Sequence, residues 1–324
     1  MSKILITGGA GYIGSNTAHR LARAGYDVAI VDDLSRGHEH NVGGLPFHRL
    51  NLTQTDALTA ILKAGGFDAV VHFAAYISVG ESTQRPELYF ANNVGATLSL
   101  LTAMVEANVK HLVFSSTAAV YGMPKVVPIP EDSPFGPVSP YGESKLLVER
   151  VLRWMDECRG VRSVALRYFN ACGADPDSTL GEEHDPETHL IPLLFRAIKT
   201  GKPVTIFGQD YATPDGTCIR DYIHIVDLAE AHRRALEHLL GGGRSDAFNV
   251  GTGTGQSVME VIKAVEEVTQ AKVPYEVGPR REGDAPVLVA NSGKLKSTLG
   301  WQPKYPGIRE MVETAWKFEN RQVR

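Results

Sequence analysis

The sequence predicts an α/β fold, in which a doubly wound parallel sheet is joined to a second, smaller α/β domain. The main observation is an alternation of strand and helix patterns through the first half of the chain. Short apolar runs typical of strands lie at residues 3–7, 27–31, 45–50, 69–73, 111–115 and 163–167. Helical periodicity lies between them, at residues 13–24, 55–64, 89–107 and 141–157. Such alternation indicates a parallel sheet that is covered by helices on both faces.

A change of pattern near Tyr168 predicts where the first domain ends. Loops rich in proline, glycine and acidic residues follow at 174–188. Candidate helices then lie at residues 191–199, 226–240, 258–269 and 308–319. At 324 residues the chain exceeds one simple core. We therefore predict a first domain over 1–167, rejoined by parts of 204–240 (notably 204–207 and 226–240), and a smaller substrate-holding domain over 168–324.

The composition excludes several classes of function. The chain is 43% hydrophobic and 22% charged, with a net charge of −4, so nothing favours nucleic acid or an anionic membrane as a partner. No apolar run approaches the roughly 20 residues of a membrane span, and no secretory leader is visible. Three widely spaced cysteines (Cys158, Cys172 and Cys218) predict neither a disulfide framework nor a thiolate metal site. We expect a cytoplasmic protein.

A glycine-rich turn follows the first strand and predicts a dinucleotide site. Gly8, Gly11 and Gly14 have the G-x-x-G-x-x-G spacing, and helical periodicity follows them. Side chains at these positions would keep a pyrophosphate from the backbone N–H groups and the helix N-terminus. Asp32 ends the second strand, where a carboxylate binds the ribose hydroxyls of a Rossmann dinucleotide. Its charge favours NAD over NADP, and we interpret the nearby Arg36 as a solvated loop charge.

Tyr141 and Lys145 form a candidate catalytic pair. Ser139 and Pro140 predict that a helix begins here, so a spacing of four places both side chains on one face. A tyrosine titrates near pH 10, and lowering its pKa by about three units takes roughly 4 kcal/mol. The ammonium of Lys145 could supply part of this, and an oxidised nicotinamide ring could supply more.

The histidines predict no metal centre. His184 and His189 lie five apart in a polar loop, and His38 and His40 flank another loop; neither pair forms a convincing ligand set with cysteines or carboxylates. We expect His72, at the end of an apolar strand, to be a packed, hydrogen-bonded side chain.

Ten separated segments together resemble the extended short-chain dehydrogenase/reductase superfamily. Within it, the chain is similar to the UDP-glucose/UDP-galactose 4-epimerase family, over nearly its full length. The segments are GGAGYIG at 8–14, HFAA at 72–75, VGES at 79–82, NNV at 92–94, SST at 115–117, VYG at 120–122, PYGESK at 140–145, LRYFN at 166–170, DGTCIRDYIH at 215–224 and RREGD at 280–284.

The resemblance implies an NAD-dependent epimerase that interconverts the C4 configuration of a UDP-sugar through a transient 4-keto sugar. It implies that Tyr141 is the base, that Thr117 hydrogen-bonds the same sugar oxygen and that Lys145 holds Tyr141 ionised. The implied cofactor contacts are Gly8, Gly11, Tyr12, Ile13, Gly14, Asp32, Asn51, Leu52, Phe73, Ala74, Ala75, Asn92, Tyr141, Lys145 and Phe169. The implied substrate contacts are Thr117, Tyr141, Asn170, His189, Leu190, Thr205, Phe207, Arg220, Tyr222, Arg281 and Asp284.

Three positions depart from the family pattern. Asn51 stands where many relatives have an acid at the adenine, and Ile77 replaces a lysine found in some members. Leu288 lies where the residue size sets the room for the sugar C2 substituent, so a preference for UDP-N-acetylhexosamines stays open. Arg220 and Arg281 are the candidate diphosphate clamps, because a planar guanidinium matches paired phosphate oxygens.

Two other functions compete with the epimerase. A nucleotide-sugar 4,6-dehydratase needs an acid after the active-site threonine, but Ala118 and Ala119 follow Thr117. A non-enzymatic NAD sensor or scaffold would have little reason to keep Thr117, Tyr141 and Lys145 together. We also predict a homodimer, since two helices carry wide apolar stripes: Leu98, Leu101, Met104 and Val105 on the first, and Leu147, Val148, Val151, Leu152 and Met155 on the second.

Overall fold

A seven-stranded parallel sheet forms the centre of the larger part of the molecule. The computed structural model describes residues 1–281 and 283–321; Glu282, in the segment at 280–284, and residues 322–324 of the predicted second domain lie outside the described residues. The strands are β1 (Lys3–Thr7), β2 (Asp27–Asp32), β3 (Phe47–Arg49), β4 (Ala69–His72), β5 (His111–Thr117), β6 (Arg162–Tyr168), β7 (Asn170–Cys172), β8 (Val204–Phe207), β9 (Ile219–His224), β10 (Asp246–Val250), β11 (Gly255–Ser257), β12 (Tyr275–Gly278) and β13 (Val287–Leu288). The large sheet has the order β10-β6-β5-β4-β1-β2-β3.

Helices cover both faces of this sheet. They are α1 (Tyr12–Arg23), α2 (Thr55–Gly65), α3 (Val79–Gln84), α4 (Pro86–Tyr89), α5 (Ala96–Glu106), α6 (Pro140–Arg159), α7 (Leu190–Thr200), α8 (Ile225–Leu240), α9 (Val258–Thr269), α10 (Gly293–Leu299) and α11 (Ile308–Glu319). Within β1, Ile4 and Ile6 face one core with residues of α1 and α8, while Leu5 faces another with residues of α2, α5 and α6. Because successive side chains of a strand point to opposite faces, a strand buried on both sides is apolar throughout. The predicted doubly wound α/β fold is confirmed.

A smaller part of the molecule is built from short strands and three helices. Strand β9 pairs with β7, β11 and β13, and β8 pairs with β12 in a separate two-stranded sheet. Residues of α7, α9 and α11 pack together in a third core. This part lies beyond the carboxyl ends of the large sheet, since β7 follows β6 after one residue.

One detail of the predicted chain path is wrong. Residues 204–207 do not return to the large sheet, because β8 pairs in parallel with β12 and Ile206 is buried in the third core. Helix α8, over much of the predicted 226–240, does pack on the large sheet and against α1. The strand that rejoins the large sheet is β10, which pairs with β6 beyond the predicted boundary.

Residues 86–106 form one continuous helical stretch that includes a π-helical turn at Phe90–Gly95. By length and mean hydropathy (1.3 over its most apolar window) it could cross a membrane, although no single apolar run in the sequence suggested this. In the structure Leu100, Leu101 and Met104 are buried in the core against the sheet. The stretch therefore has the packing of a core helix.

Candidate active site

A cavity of about 630 Å³ opens where the large sheet meets the smaller part of the molecule. It lies at the carboxyl ends of β1, β4 and β5, next to the point where the strand order reverses, which is where α/β sheets bind ligands. All fifteen predicted cofactor residues line it. Five of the predicted substrate residues also line it, namely Thr117, Tyr141, Asn170, His189 and Arg220.

The glycine turn between β1 and α1 brings backbone against the cavity. Gly8 has φ +74°, and a Cβ there would lie 2.5 Å from the backbone nitrogen of Ala74. A Cβ on Gly14 would lie 2.1 Å from the carbonyl oxygen of Gly8, so this glycine lets α1 approach the turn. A Cβ on Gly11 would meet only Gly8 O at 3.5 Å, and it would occupy the cavity. The cradle therefore fits a pyrophosphate, which needs backbone N–H groups at a helix N-terminus.

The end of β2 forms the adjacent wall of the cavity. The carboxylate of Asp32 accepts hydrogen bonds from the backbone N–H groups of Ala10 (3.0 Å) and Leu34 (2.8 Å), and burial raises its pKa. Asn51 lines the cavity, but its amide nitrogen donates to Asp33 at 2.6 Å and its oxygen accepts from Thr53. Asp33, which the sequence reasoning missed, is thus held at the cavity wall beside Asn51.

Arg36 is an exposed loop residue, as expected, and it also has partners at the cavity. Its guanidinium pairs with Glu81 at 2.9 Å and lies over the ring of Tyr76, 5.2 Å from the centroid. All three residues line the cavity.

The catalytic pair stands where the sequence places it. Helix α6 begins as predicted, because the hydroxyl of Ser139 accepts from the N–H of Gly142 and Pro140 occupies the first turn. Tyr141 and Lys145 face the cavity, with only 9% and 3% of their surfaces exposed. Thr117 reaches the same cavity from the end of β5, and its hydroxyl accepts from the N–H of Ala119 at 3.1 Å.

Burial dominates the electrostatics of this pair. It raises the pKa of Tyr141 above 10.0, although a hydrogen bond with Thr117 acts in the opposite direction. It lowers the pKa of Lys145 to about 7, against the attraction of Glu149. The ammonium of Lys145 donates to the carbonyl oxygen of Ser115 at 2.9 Å and lies over the ring of Phe114. In the protein alone, therefore, the phenolate of Tyr141 is disfavoured.

Several predicted substrate residues form a connected group beside the cavity. Arg220 lines the cavity and lies 3.5 Å from a carboxylate oxygen of Asp284. Asp284 also accepts from Arg281 at 3.0 Å, and the guanidinium of Arg281 lies 4.8 Å from the ring centroid of Phe207. Of this group only Arg220 contributes to the cavity wall.

Three other predicted substrate residues lie away from the cavity. Tyr222 is buried in the third core, and Leu190 packs against that core at the start of α7. The hydroxyl of Thr205 donates to Glu276 at 3.1 Å. The structure brings none of these three to the cavity wall.

A histidine–glutamate cluster is the main feature that sequence reasoning missed. Glu182, His184, Glu187 and His189 meet, with one potential ligand atom from each lying within 4.8 Å of all the others. The sequence analysis expected no convincing ligand set for these histidines, whereas the structure brings both of them together with two carboxylates. Hydrogen bonds to the two glutamates raise the pKa of His184 to about 9 and that of His189 to about 10, despite burial. The signal in the sequence was the E-x-H-x-x-E-x-H spacing of residues 182–189.

His72 and Arg167 lie behind the cavity wall, and each is held by buried polar partners. The ring of His72 is hydrogen-bonded to Thr7 (2.6 Å) and Thr97 (2.9 Å), and burial lowers its pKa to about 3, which confirms a packed, neutral side chain. Arg167, one residue before the cavity-lining Tyr168, forms a buried ion pair with Glu149 at 2.6 Å.

Comparison with known proteins agrees with this geometry. The NAD dependent epimerase/dehydratase family model matches residues 4–251. The chain is 47% identical to a UDP-glucose 4-epimerase of Lactobacillus helveticus, covering 98% of this chain and 96% of that one. Its structure is similar to that of the Brucella ovis UDP-glucose 4-epimerase in complex with NAD, at a TM-score of 0.96 and 43% identity over 98% of each chain. It is also similar to the Bifidobacterium longum enzyme in complex with NAD+ and UDP, at a TM-score of 0.92 and 37% identity over 98% of this chain and 99% of that one. The chain therefore belongs to the NAD dependent epimerase/dehydratase family.

Proposed function

We propose that this protein is a UDP-glucose/UDP-galactose 4-epimerase that inverts the C4 centre of the hexose with bound NAD. The observation that carries the proposal is the position of Tyr141, Lys145 and Thr117 on one wall of the cavity that the Gly8–Gly14 turn also lines. A cofactor held by the turn and a sugar held near Tyr141 would share this space. The relatives named above support both ligands.

NAD fits the residues present. The turn offers backbone N–H groups to the pyrophosphate, and the buried carboxylate of Asp32 stands where ribose hydroxyls would bind. When bound, NAD supplies the acceptor and later the donor of the C4 hydride. Asp33 adds a second negative charge at this wall, which disfavours a 2′-phosphate.

Tyr141 exchanges the proton of the sugar 4-hydroxyl. It accepts this proton as phenolate. It returns the proton once the 4-keto sugar has rotated within the cavity to present its opposite face. Thr117 holds the same sugar oxygen by its hydroxyl. Lys145 is fixed by the carbonyl of Ser115, one turn of helix from Tyr141, and contributes positive charge when protonated.

Arg220 is the best-placed residue for the diphosphate of a UDP-sugar. Two of its donor contacts go to the carbonyl oxygens of Ile219 and Ala285, which fixes the guanidinium plane. Both of these contacts use Nη1, and Nη2 lies 3.5 Å from Asp284, a separation that leaves this charge weakly paired. A diphosphate would complete the pairing in bidentate geometry. Asn170 and His189 line the same space and would bind neighbouring parts of the nucleotide.

The alternatives lack support. Ala118 and Ala119 both line the cavity beside Thr117, so no carboxyl group stands there for the elimination that a 4,6-dehydratase performs. Leu288 lines the cavity beside Arg220, its register partner in the β9–β13 pairing, so its size would set the room for a C2 substituent. The similarity to UDP-glucose 4-epimerases favours the non-acetylated sugars.

The test is turnover of UDP-galactose by Tyr141→Phe, with Tyr76→Phe as the matched control. Both variants remove a phenolic hydroxyl group from the same cavity, but of the two tyrosines only Tyr141 lies beside Thr117 and Lys145. We expect Tyr141→Phe to lose about 10²–10⁴-fold in turnover and to retain its NAD. Tyr76→Phe should keep most of its activity and yield a glucose/galactose mixture. A Tyr141→Phe variant as active as the control would refute the assignment of the base.

A homodimer is part of the proposal. Leu98 on α5 and Trp154 on α6 are exposed, and Leu147 and Val151 are half-buried beside them. The buried members of the two predicted stripes pack on the sheet instead. Helix α6 packs against the π-helical turn that leads into α5, and the outer faces of the two helices would form an apolar surface that a second copy of the chain covers.

A further inference from the structure

We propose that Glu182, His184, Glu187 and His189 form a divalent metal site that fits Zn²⁺ and fixes the loop between β7 and α7. The proposal goes beyond the epimerase function and does not depend on it. It starts from the convergence of two imidazoles and two carboxylates, with one potential ligand atom from each within 4.8 Å of the others.

The distances match a tetrahedral zinc ion. Bonds of about 2.0–2.2 Å to nitrogen and oxygen place neighbouring tetrahedral ligands about 3.3–3.6 Å apart. His184 Nδ1 lies 3.1 Å from Glu182 Oε1 and 3.8 Å from Glu187 Oε2. His189 Nδ1 lies 2.8 Å from Glu182 Oε1 and 3.1 Å from Glu187 Oε1, so the two imidazoles meet the same oxygen of Glu182 but different oxygens of Glu187. These separations bracket the tetrahedral value, and the four donor atoms lie within 4.8 Å of one another, so an ion would have to draw them together by up to about 1 Å.

The charge and the burial also suit a divalent ion. The carboxylates of Glu182 and Glu187 have only 8% and 5% of their side-chain surfaces exposed. Each imidazole is protonated near neutral pH because its pKa is raised, so a metal would have to displace both protons. With both imidazoles then neutral, the four groups carry a net charge of −2, which a divalent cation cancels. Four protein donors fill a tetrahedral shell and leave no position for water, which is the pattern of a structural rather than a catalytic zinc site.

The location shows what the metal would hold. Glu182, His184 and His189 line the cavity, as do Asp185, Pro186 and Thr188 between them, so this loop forms one wall. His184 also makes an edge contact with Tyr12 at the start of α1, 6.1 Å between ring centroids. A metal bound through the Nδ1 atoms would leave Nε2 of His189 for the sugar nucleotide. We therefore infer that the ion fixes the wall that His189 shares.

Glu183 provides a matched control next to the cluster. Its carboxylate points away from the other glutamates and pairs with His40 at 2.7 Å and with Arg321. Replacing Glu182 or Glu183 by glutamine therefore makes the same chemical change at adjacent positions, but only Glu182→Gln removes a proposed ligand.

The experiment measures metal binding by the full chain. The purified protein is stripped with a chelator, dialysed, and titrated with Zn²⁺ against a chromogenic chelator, and bound zinc is counted by mass spectrometry. We expect one zinc per chain in the wild type and in Glu183→Gln, with affinity reduced at least about tenfold in Glu182→Gln and His184→Ala. Co²⁺ in place of Zn²⁺ should give the intense visible bands of a tetrahedral ion.

Either of two results would overturn the proposal. The first is a folded wild-type protein that binds no zinc, a result that needs no variant. The second is equal zinc affinity in folded His184→Ala and wild type. Loss of epimerase activity without loss of zinc binding, or the reverse, would separate this proposal from the proposed function.

Discussion

Gly11 and Gly14 lie in the same turn, but replacing each with alanine should damage a different property. Gly14 is a packing position, since its Cβ would meet backbone atoms of Gly8 at 2.1 and 2.9 Å. Gly11 is a cofactor position, since its Cβ would meet protein only at 3.5 Å, an ordinary contact, and would enter the cavity. The two variants, Gly11→Ala and Gly14→Ala, each add one methyl group. They therefore test NAD binding and folding separately.

The expected magnitudes follow from these contacts. In Gly14→Ala the turn and α1 must separate by about 1 Å, and such overpacking costs about 1–3 kcal/mol of unfolding free energy. Gly11 has φ −82° and ψ 172°, which alanine adopts freely. The loss of about 0.5 kcal/mol at a helix cap is offset by about 0.4–1 kcal/mol from a less flexible unfolded chain. The methyl group of Gly11→Ala should instead weaken NAD binding at least tenfold, about 1.4 kcal/mol.

Two assays on the same preparations test this reasoning. Urea unfolding of the NAD-stripped proteins gives the stability, and calorimetric titration of NAD gives the affinity. We expect Gly14→Ala to lose stability and Gly11→Ala to keep it within about 0.5 kcal/mol while losing affinity. The reasoning is refuted if Gly11→Ala binds NAD as the wild type does, or if Gly14→Ala is as stable as the wild type.

Three further predictions concern charge and assembly. Because burial lowers the pKa of Lys145 from 10.5 to about 7, the folded chain binds fewer protons than the unfolded chain above about pH 7. The unfolding free energy of the cofactor-free wild type should then rise relative to Lys145→Met by about 1.4 kcal/mol per pH unit between about pH 7 and 10, and parallel urea-stability profiles would contradict this. Glu149→Gln leaves the buried Arg167 without its carboxylate, so thermal and urea unfolding should show a loss of about 3–5 kcal/mol, and a variant of unchanged stability would count against the pair. Trp154→Glu places a charge on the exposed face of α6 and should shift the proposed homodimer to the monomer mass by light scattering, with the exposed Val277→Glu on β12, in the smaller part of the molecule, as control; a variant that stays dimeric would exclude this face.

Most of the large sheet, except β10, could be predicted because its signals are local. Strand β1 is apolar throughout, with Ile4, Leu5 and Ile6 divided between two cores, so its sequence alone indicates burial on both faces. The start of α6 was equally readable, because Ser139 forms the cap hydrogen bond that its side chain predicts. Such features depend on neighbours in sequence and need no knowledge of distant contacts.

Strand pairing in the smaller part could not be predicted in the same way. Residues 204–207 form a strand, but four residues carry no information about which partner they join. The partner strand, Tyr275–Gly278, lies about seventy residues later in the sequence. The same limit applies to the substrate residues: Arg220 reaches the cavity, whereas Tyr222, two positions later on β9, turns into the third core.

The histidine–glutamate cluster shows a different limit. Helical spacing arguments apply to residues three or four apart, and His184 and His189 lie five apart in a loop. Only the path of that loop brings both Nδ1 atoms to the same carboxylate of Glu182. The two histidines and two glutamates are visible in the sequence of residues 182–189, but their convergence is a property of the fold.

The pair of Tyr141 and Lys145 shows that correct placement does not fix a pKa. Spacing put both side chains on one face, and the sequence suggested that the cation would favour the phenolate. In the structure, burial raises the pKa of Tyr141 and lowers that of Lys145 to about 7, so near neutral pH the lysine is charged only part of the time. Desolvation is the largest cause of each shift, and it outweighs the hydrogen bond of Thr117 with Tyr141 and the attraction of Glu149 for Lys145. An oxidised nicotinamide ring beside Tyr141 would add positive charge, which favours the phenolate. Under the proposed function, the phenolate would then be favoured when oxidised cofactor is bound, which would couple removal of the sugar proton to the state that can accept the hydride.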